Sequence, residues 1–303
     1  MMNQKTERII EALAAAGIEY AADSSVAARS SFKIGGSVAL AVFPKSEREL
    51  VTALSLIDGE GVRCEIIGNA SNLLFAFDYF DGALIFTSGL GGIAIEGNKI
   101  SCGAGVSLTH LSSVAAEHSL SELEFAYGIP ALVGGAVYMN AGAYGGAISD
   151  VIEYSIAYNR KSGRVFRLYD CDFSYRHSKY MNDPSLVCLG AVFSLPYGDV
   201  EEIREKMAQN MASRKANQPL EYPSAGSYFK RPEGHFAGKL IEDCGLKGFS
   251  VGGAQVSEKH AGFIINRGGA TYSEVLTLEE KIKERVFSEF GVELEREVRV
   301  ITN

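Results

Sequence analysis

The sequence predicts an α+β protein of about two domains. The first observation is length, because 303 residues exceed the usual size of a single domain. The second is that helical and strand-like apolar periods alternate along the chain. The third is glycine: 33 residues, roughly 11% of the chain against an average near 7%. So much glycine indicates many tight turns or places where backbone approaches something closely.

Five stretches have the apolar period of a helix. Near the N-terminus, Ile9, Ile10 and Leu13 form an apolar stripe. The clearest helix covers 46–58, where Ser46 and Glu49 form a capping box and Gly59 follows the last turn. The other three helices are predicted around 108–115, over 199–216 and over 273–290.

Short strands are predicted between these helices. They fall over 64–67, in several runs within 80–106, in three runs between 151 and 195, and at about 292–302. The segment 217–227 contains Pro and Gly between two patterned regions, which makes it the best boundary between domains.

Composition argues against several classes of protein. The formal charge is −8, from 37 acidic and 29 basic residues, so we expect no nucleic-acid partner. No run of 18 apolar residues occurs, and we expect no membrane partner. The five cysteines are odd in number and contain no C-x-x-C pair, which is typical of reduced thiols in a cytoplasmic protein. The five histidines show no helical zinc spacing, so no metal is predicted.

Three segments carry more glycine than their predicted structure needs. Residues 68–73 follow a strand directly and can form an anion-binding nest of backbone N–H groups, with Ser71 and Asn72 as added donors. Residues 128–146 place Pro130 in a predicted first helical turn and Gly134-Gly135 at a helix N-terminus, where free N–H groups suit a phosphate. The third segment is 31–36. Each is readily explained as a tight turn, but the three together favour a ligand the size of a dinucleotide.

A formal dinucleotide-binding pattern occurs at Gly89-x-Gly91-x-x-Ala94. That pattern requires a helix immediately afterwards. Residues 93–96 alternate like a strand instead. A dinucleotide would therefore be held by a fold other than the Rossmann fold.

The last third of the chain and the segment around residue 176 contain the reactive candidates. Ser227-x-x-Lys230 has the spacing of acyl-enzyme hydrolases, but their S-D-N and downstream K-T-G motifs are missing. Ser227 could otherwise donate a proton to a basic carbon, or simply satisfy a turn. Arg176 could bind a carboxylate through two hydrogen bonds. Alternation places Glu297 with Glu293 and Glu295 on a solvated face.

Several long motifs resemble one enzyme family. They are SFKIGG at 31–36, GNASNLL at 68–74, GIP with VGGAVYMNAGAYGG within 128–146, YRHS at 175–178, QPLEYPSAGSYFKRP at 218–232, AGKLIEDCGLKG at 237–248 and GGAQVSEKHAGFIIN at 252–266. The chain is similar, over nearly its whole length, to the UDP-N-acetylenolpyruvoylglucosamine reductases. The short length resembles the class that lacks an extra substrate-covering tyrosine loop.

This resemblance implies a particular fold. The family has the two-subdomain FAD-binding fold of the vanillyl-alcohol-oxidase (PCMH) type plus a smaller α/β C-terminal substrate domain. We therefore expect an FAD-binding domain at 1–205, with subdomains at about 1–92 and 93–205. The substrate domain would occupy 206–303, and its last strand would return to the FAD domain.

The resemblance also implies a reaction in peptidoglycan synthesis. NADPH reduces non-covalently bound FAD, and the flavin passes hydride to the enolpyruvyl double bond of UDP-N-acetylglucosamine enolpyruvate, giving UDP-N-acetylmuramate. Ser227 matches the proton donor of the family, Arg176 its active-site arginine and Glu297 its catalytic glutamate. Arg176 and Glu297 would stabilise the enolate-like charge that develops, and Ser227 would protonate the carbon.

The remaining site residues follow from the same resemblance. The expected FAD-binding residues are Lys33, Gly35, Gly68, Asn69, Ala70, Ser71, Asn72, Gly128, Ile129, Pro130, Gly134, Gly135, Asn140, Gly142 and Ala143. The expected residues for the nucleotide-sugar substrate are Tyr175, Lys215, Lys230, Arg231, Gln255 and His260.

Some residues depart from the family pattern. Ala70 stands where Gly is usual, Asn217 where Lys is common, and Arg296 where Pro usually precedes the glutamate. Ala131 and Leu132 replace a Gly followed by Ser or Thr. These changes leave a non-catalytic flavin-binding relative as the alternative to the enzyme.

Overall fold

The computed structural model describes residues 3–303. Its α-helices in chain order are α1 Gln4–Ala15, α2 Glu47–Gly59, α3 Leu108–Glu117, α4 Val133–Met139, α5 Ile148–Val151, α6 Lys179–Asn182, α7 Val200–Asn217, α8 Ala237–Asp243 and α9 Tyr272–Phe290. Its strands are β1 Tyr20–Ser25, β2 Ser37–Val42, β3 Cys64–Ile67, β4 Leu73–Phe75, β5 Tyr79–Phe86, β6 Ile93–Glu96, β7 Lys99–Gly103, β8 Gly142–Ala143, β9 Gly146–Ala147, β10 Ile152–Asn159, β11 Arg164–Leu168, β12 Leu186–Ser194, β13 Ser224–Ser227, β14 Ser250–Val251, β15 Ala254–Val256, β16 Phe263–Asn266 and β17 Arg299–Ile301.

The strands form mixed and antiparallel sheets. A five-stranded antiparallel sheet has the order β11-β10-β12-β7-β6. A four-stranded sheet has the order β1-β2-β5-β3, in which β3 runs parallel to β5. A second four-stranded sheet has the order β13-β16-β15-β14, and β17 pairs in parallel with β4. This mixture of helices and separate sheets confirms the predicted α+β class.

The chain divides into two compact units. The first comprises residues up to 22 together with 39–69 and 81–214, and the second comprises 23–38, 70–80 and 215–303. In the first unit, one apolar core includes Leu111, Val137 and Phe193, and another includes Leu13 and Leu50. The core of the second unit packs residues of α9 against 254–264 and 32–34. The predicted bounds 1–205 and 206–303 stay a prediction.

The strongest helix signals in the sequence are confirmed. In α2 the side chain of Ser46 accepts a hydrogen bond from the backbone N–H of Glu49 at 3.2 Å. The carboxylate of Glu49 reaches Lys45 N rather than Ser46 N, so the box is shifted by one residue on that side. In α9 the cap is reciprocal, with Thr271 and Glu274 each accepting from the backbone N–H of the other at 3.2 and 2.9 Å. Both helices begin where their caps predict.

The predicted strand at 292–302 is wrong over most of its length. Only Arg299–Ile301 is a strand. Before it, the backbone makes isolated bonds to another segment, from Lys230 N to Glu295 O and from Glu297 N to Tyr228 O. Alternation therefore fails, and Glu297 is partly buried while Glu293 and Glu295 remain exposed.

The prediction at Gly89 is confirmed. The strand β6 follows the 3-10 turn Thr87–Gly89, where a Rossmann fingerprint would require a helix. Packing explains the glycine at position 89, because a Cβ there would lie 2.4 Å from the carbonyl oxygen of Pro44.

Two cysteines lie deep in the core of the first unit. Cys102 is on β7 and Cys188 on β12, and burial raises the pKa of each thiol to about 12. Both therefore behave as small apolar side chains.

Within residues 3–303, no helix is both long and apolar enough to span a bilayer.

Two glycines allow a matched test of packing. A Cβ at Gly36 would lie 1.9 Å from the carbonyl oxygen of Asp78, whereas a Cβ at Gly59 meets no atom within 4 Å. Gly36→Ala should lower the free energy of unfolding by about 2–3 kcal/mol because backbone must move. Gly59→Ala should raise it by about 0.5 kcal/mol through helix propensity. Urea unfolding followed by circular dichroism measures both, and equal stabilities would contradict the packing at Gly36.

Candidate functional site

Two of the glycine-rich segments meet in the first unit. Gly68 follows β3 directly, and a Cβ built there would lie 3.9 Å from Leu132 Cβ and 4.0 Å from the backbone N of Gly135. The side-chain amide of Asn69 donates a hydrogen bond to the carbonyl of Pro130 at 2.8 Å. The turn after β3 thus lies against the start of α4, as a shared ligand-binding surface requires.

The glycines of this region differ in what a side chain at each position would contact. A Cβ at Gly134 would lie 3.0 Å from Ala104 Cβ, and one at Gly128 would lie 2.6 Å from Met211 Cε. Packing explains Gly134, and the φ of +81° also favours glycine at Gly128. At Gly135 no atom lies within 4 Å of the Cβ position, and its backbone angles are ordinary. Gly135 therefore leaves open a space that a side chain would fill, which fits the close approach of a ligand to backbone.

The start of α4 differs from the prediction in two respects. The helix begins at Val133, so Pro130 precedes the first turn instead of opening it. The N–H groups of Val133 and Gly134 already donate to Val106 O and Ala104 O at 2.8 and 2.9 Å. The prediction of free N–H groups at this helix end is wrong for these two residues, because the chain packs the first turn against 104–106.

Arg176 is held beside the loop that follows α4. Its Nη2 donates to the carbonyl oxygen of Gly142 at 3.1 Å, and its guanidinium carbon lies 5.2 Å from the centroid of the Tyr175 ring. Arg176 occupies a tight turn closed by two backbone bonds between Ser174 and His177. Asn140 ties this turn to α4, because its Nδ2 donates to Ser174 O and its Oδ1 accepts from Ser149 N. The amide of Asn140 therefore supports the loops around Arg176.

Several predicted site residues have strained backbone. Positive φ angles of 57°, 48°, 42° and 55° occur at Lys33, Ala70, Asn140 and Arg176. Such conformations cost about 1–2 kcal/mol for a residue with a Cβ, and they cluster at functional sites. Ala70, the position at which the resemblance predicts Gly, adopts this conformation although it carries a Cβ.

Sequence analysis missed Arg214. It lies on α7 with 9% of its surface exposed, and its guanidinium carbon is 5.8 Å from the centroid of the Tyr144 ring. Burial lowers the pKa of Arg214. The available signal was the apolar stripe of α7, in which Ile203, Met207 and Met211 recur every four residues and place Arg214 on the same face. A cation on a buried face, next to Gly128, marks this loop as suited to an anion.

In the second unit, the segment 31–36 packs against the segment before Ser227. The hydroxyl of Ser31 donates to the carbonyl oxygen of Ser224 at 2.8 Å and lies 3.1 Å from that of Ala70. The ammonium of Lys33 donates to Ala28 O at 2.8 Å. A Cβ at Gly35 would lie 2.6 Å from Val26 Cγ2, so packing already requires glycine there.

Ser227 and Glu297 lie on adjoining segments of the second unit. Ser227 ends β13, after a bulge in which Gly226 has a φ of +79°. The N–H of Glu297 donates to the carbonyl oxygen of Tyr228 at 2.9 Å, and Asn72 Nδ2 donates to the carbonyl oxygen of Glu297 at 3.2 Å. Ser227 is exposed, and its hydroxyl makes no hydrogen bond to any residue in 3–303. A serine that merely satisfied a local turn would not leave its hydroxyl available.

Lys230 does not support the acyl-enzyme alternative. Its ammonium forms an ion pair with Glu295. A Ser-Lys nucleophile requires the Lys to serve the Ser as a base. The backbone N–H of Lys230 also donates to Glu295 O, so the residue is fixed to the segment before Glu297.

The other predicted substrate-binding residues each contact neighbouring parts of the chain. The guanidinium carbon of Arg231 is 4.6 Å from the Phe236 ring centroid. The amide nitrogen of Gln255 donates a hydrogen bond to Gly248 O, and its amide oxygen accepts one from Arg267. His260 Nδ1 accepts from Gly262 N at 3.1 Å, and burial lowers the pKa of this histidine, which favours its neutral form. Lys215 uses its carbonyl oxygen to accept from Lys259.

The predicted residues divide between the two units. The first unit contains Gly68, Asn69, Gly128, Ile129, Pro130, Gly134, Gly135, Asn140, Gly142, Ala143, Tyr175 and Arg176. The second contains Lys33, Gly35, Ala70, Ser71, Asn72, Lys215, Ser227, Lys230, Arg231, Gln255, His260 and Glu297. Each unit therefore contributes both cofactor-binding and substrate-side candidates.

Two family models match the chain. Residues 38–169 match the model described as an FAD-binding domain. Residues 218–301 match the model described as the C-terminal domain of UDP-N-acetylenolpyruvoylglucosamine reductase. Together they confirm the predicted combination of a flavin-binding fold and a reductase C-terminal domain.

Individual proteins agree with these models. The chain is 45% identical over 272 residues to the UDP-N-acetylenolpyruvoylglucosamine reductase of Caldanaerobacter subterraneus subsp. tengcongensis, covering 89% of this chain and 90% of the relative. It is 44% identical over 301 residues to the reductase of the same name from Caldicellulosiruptor saccharolyticus, covering 98% and 96%.

A solved structure matches as well. The crystal structure of UDP-N-acetylenolpyruvylglucosamine reductase from Thermus caldophilus superposes with a TM-score of 0.78 at 31% identity, covering 94% of this chain and 99% of that one. Similarity of sequence and of structure therefore extends over almost the whole chain. This chain belongs to the UDP-N-acetylenolpyruvoylglucosamine reductase family.

Proposed function

We propose that this protein uses NADPH and FAD to reduce the enolpyruvyl double bond of UDP-N-acetylglucosamine enolpyruvate, giving UDP-N-acetylmuramate. The names of its relatives and the match of residues 38–169 to an FAD-binding domain support this activity. The observation that carries the proposal is the backbone bond between Glu297 and Tyr228, which joins the segments of Ser227 and Glu297. Both residues match catalytic positions of the family.

The glycine-lined surface of the first unit fits a flavin dinucleotide. A Cβ at Gly68 would lie 4.0 Å from the backbone N of Gly135, so the two glycine backbones are close neighbours. Arg214 supplies a cation near Gly128, and Asn69 fixes the loop through Pro130. FAD held there would supply the hydride chemistry that links NADPH to the substrate. We assign this surface to non-covalent FAD, and we propose Lys33, Gly35, Ala70, Ser71 and Asn72 as further FAD-binding residues.

Ser227 is proposed to donate the proton that completes the reduction. A hydroxyl is a weak acid, so it acts only on a strongly basic centre, such as a carbon that carries enolate charge. The bulge at Gly226 turns the side chain of Ser227 outward from β13, where it is exposed. Its hydroxyl has no competing acceptor within residues 3–303. This arrangement leaves the O–H available to substrate.

Arg176 and Glu297 are proposed to stabilise the charge that develops on the substrate. The contacts of the Arg176 guanidinium with Gly142 O and the Tyr175 ring fix its position. Groups fixed before the reaction stabilise developing charge without reorganisation. Glu297 completes the polarisation if it holds or shares a proton, a state that burial beside an anionic substrate would favour.

The residues proposed to bind the substrate are Tyr175, Lys215, Lys230, Arg231, Gln255 and His260. Residues 206–303 are proposed to form a substrate-binding domain. Lys and Arg provide the positive charge that a nucleotide diphosphate requires. We propose a cytoplasmic location with no nucleic-acid or membrane partner, in keeping with the acidic composition.

The activity is tested on the purified protein. Acid precipitation should release FAD into the supernatant, because its binding is non-covalent. NADPH oxidation should then depend on added UDP-N-acetylglucosamine enolpyruvate, and mass spectrometry should find a product heavier by two hydrogens. FAD without substrate-dependent NADPH oxidation would instead establish a non-catalytic flavin-binding relative.

Gly135 gives a test of the flavin surface. Gly135→Ala adds a Cβ in open space within α4 and should raise the Kd for FAD about 10-fold, or about 1.4 kcal/mol, because it blocks ligand approach to the backbone. Gly59→Ala is the matched control, since it also adds a Cβ in open space on a helix. Fluorescence titration of the apoprotein measures both. Unchanged FAD affinity in Gly135→Ala would remove this surface from the flavin site.

Ser227→Ala separates the two halves of the reaction. FAD binding and its reduction by NADPH should proceed at the normal rate, because Ser227 acts only after hydride transfer to substrate. Flavin reoxidation by the enolpyruvyl substrate should slow by about 10²–10⁴-fold. Ser227→Cys should recover part of this loss, since a thiol is the stronger acid. Anaerobic stopped-flow absorbance measures each half alone, and equal slowing of both would make Ser227 structural.

A further inference from the structure

A buried carboxylate contacts both segments that carry the proposed catalytic residues. Glu279 lies on α9 with 1% of its surface exposed. Its Oε2 accepts a hydrogen bond from the Tyr228 hydroxyl at 2.9 Å and from Arg296 Nε at 2.7 Å. Its Oε1 lies 2.5 Å from the ammonium of Lys283. Tyr228 directly follows Ser227, and Arg296 directly precedes Glu297.

These contacts keep Glu279 ionised although it is buried. Burial raises the pKa of this carboxyl, but the hydrogen bonds from Arg296 and Tyr228 and the ion pair with Lys283 together lower it by more, so the net pKa lies below its usual value. Burial alone would lower the pKa of Arg296, and its bond to Glu279 raises it overall. A buried ion pair of this kind adds little to stability but strongly restricts geometry. The cluster therefore constrains where Tyr228 and Arg296 lie.

Tyr228 and Arg296 are also tied through the backbone. Phe229 and Arg296 form an isolated antiparallel bridge, made by the bonds from Lys230 N to Glu295 O and from Glu297 N to Tyr228 O. Tyr228 N donates to Gly262 O at 2.8 Å, which fixes the same segment to the neighbouring strand. The N–H and carbonyl of Arg296 take no part in the two bonds of the bridge. The bridge could thus form with other residues at 296, and the side chain of Arg296 has a separate role.

We propose that Glu279 is a positioning residue for the reaction. By holding the Tyr228 hydroxyl and the Arg296 guanidinium on one oxygen, it fixes the backbone that presents Ser227 and Glu297 to the substrate. This inference rests on the proposed roles of Ser227 and Glu297. Displacements near 1 Å are enough to slow an enzymatic step about 100-fold. Contacts that hold the backbone of Ser227 and Glu297 in place therefore affect the reaction rate directly.

The test compares the two half-reactions of Glu279→Gln, measured per bound FAD. The amide keeps the shape of the side chain but removes the charge that holds Arg296. Flavin reduction by NADPH should stay within about twofold of the parent, because Ser227 and Glu297 take no part in it. Flavin reoxidation by the enolpyruvyl substrate should slow about 10-fold or more, with the loss in kcat rather than in KM.

Glu124→Gln is the matched control. Glu124 is a glutamate of the first unit with 4% of its surface exposed, and its carboxylate lies 3.7 Å from Lys206. The same chemical change there should leave both half-reactions per bound FAD at parental rates. Tyr228→Phe removes only the hydroxyl that binds Glu279 and should also slow flavin reoxidation. This variant provides the test if Glu279→Gln fails to fold.

A double variant separates positioning from stability. Arg296→Met combined with Glu279→Gln removes both charges and should restore most of the stability lost in Glu279→Gln, while reoxidation stays slow. If stability and reoxidation recover together, the cluster acts only through folding and the inference fails.

Ser227→Ala distinguishes failure of this inference from failure of the proposed function. If Ser227→Ala slows reoxidation but Glu279→Gln and Tyr228→Phe do not, Glu279 has no positioning role and the proposed function stands. If Ser227→Ala leaves reoxidation unchanged, the proposed function itself fails.

Discussion

The backbone hydrogen bond from Glu297 N–H to the Tyr228 carbonyl is one of those that join the two chain segments carrying Ser227 and Glu297. Because the bond uses only main-chain atoms, the side chains on either side remain available for other roles. Tyr228 turns its side chain into the core and Ser227 remains exposed. The segment before β17 makes this contact as an isolated β-bridge, and residues 292–298 form no regular strand.

Glycine serves two physical purposes in this fold. At Gly36, Gly89 and Gly134, an added Cβ would meet neighbouring protein atoms within 3.0 Å, and at Gly128 the φ of +81° favours glycine, so the protein itself explains these residues. At Gly135 nothing within the protein requires it. A glycine count cannot separate these two cases, because both give the same letter in the sequence. The structure separates the two kinds of glycine, because it shows whether a Cβ at each position would contact protein atoms or open space.

Much of the fold could be predicted because its signals are local. Ser46 caps α2 through an atom three residues away, and the period-two pattern at 93–96 gives β6. Predictions failed where a distant segment decides the outcome. Pro130 precedes α4 because 104–106 bind the first turn, and Glu297 leaves the solvated face because Tyr228 binds its backbone. Arg214 was missed since its burial depends on the loop at Gly128, although its position on α7 continued a visible stripe.

Burial of two thiols affects how readily this protein is oxidised. With a pKa of about 12, Cys102 and Cys188 are ionised in only about one molecule in 10⁵ at pH 7, and thiolate is the form that peroxides and electrophiles attack. Oxidation of either sulfur would also place a polar, larger group in a close-packed core. Burial therefore disfavours thiol oxidation at these two positions at neutral pH.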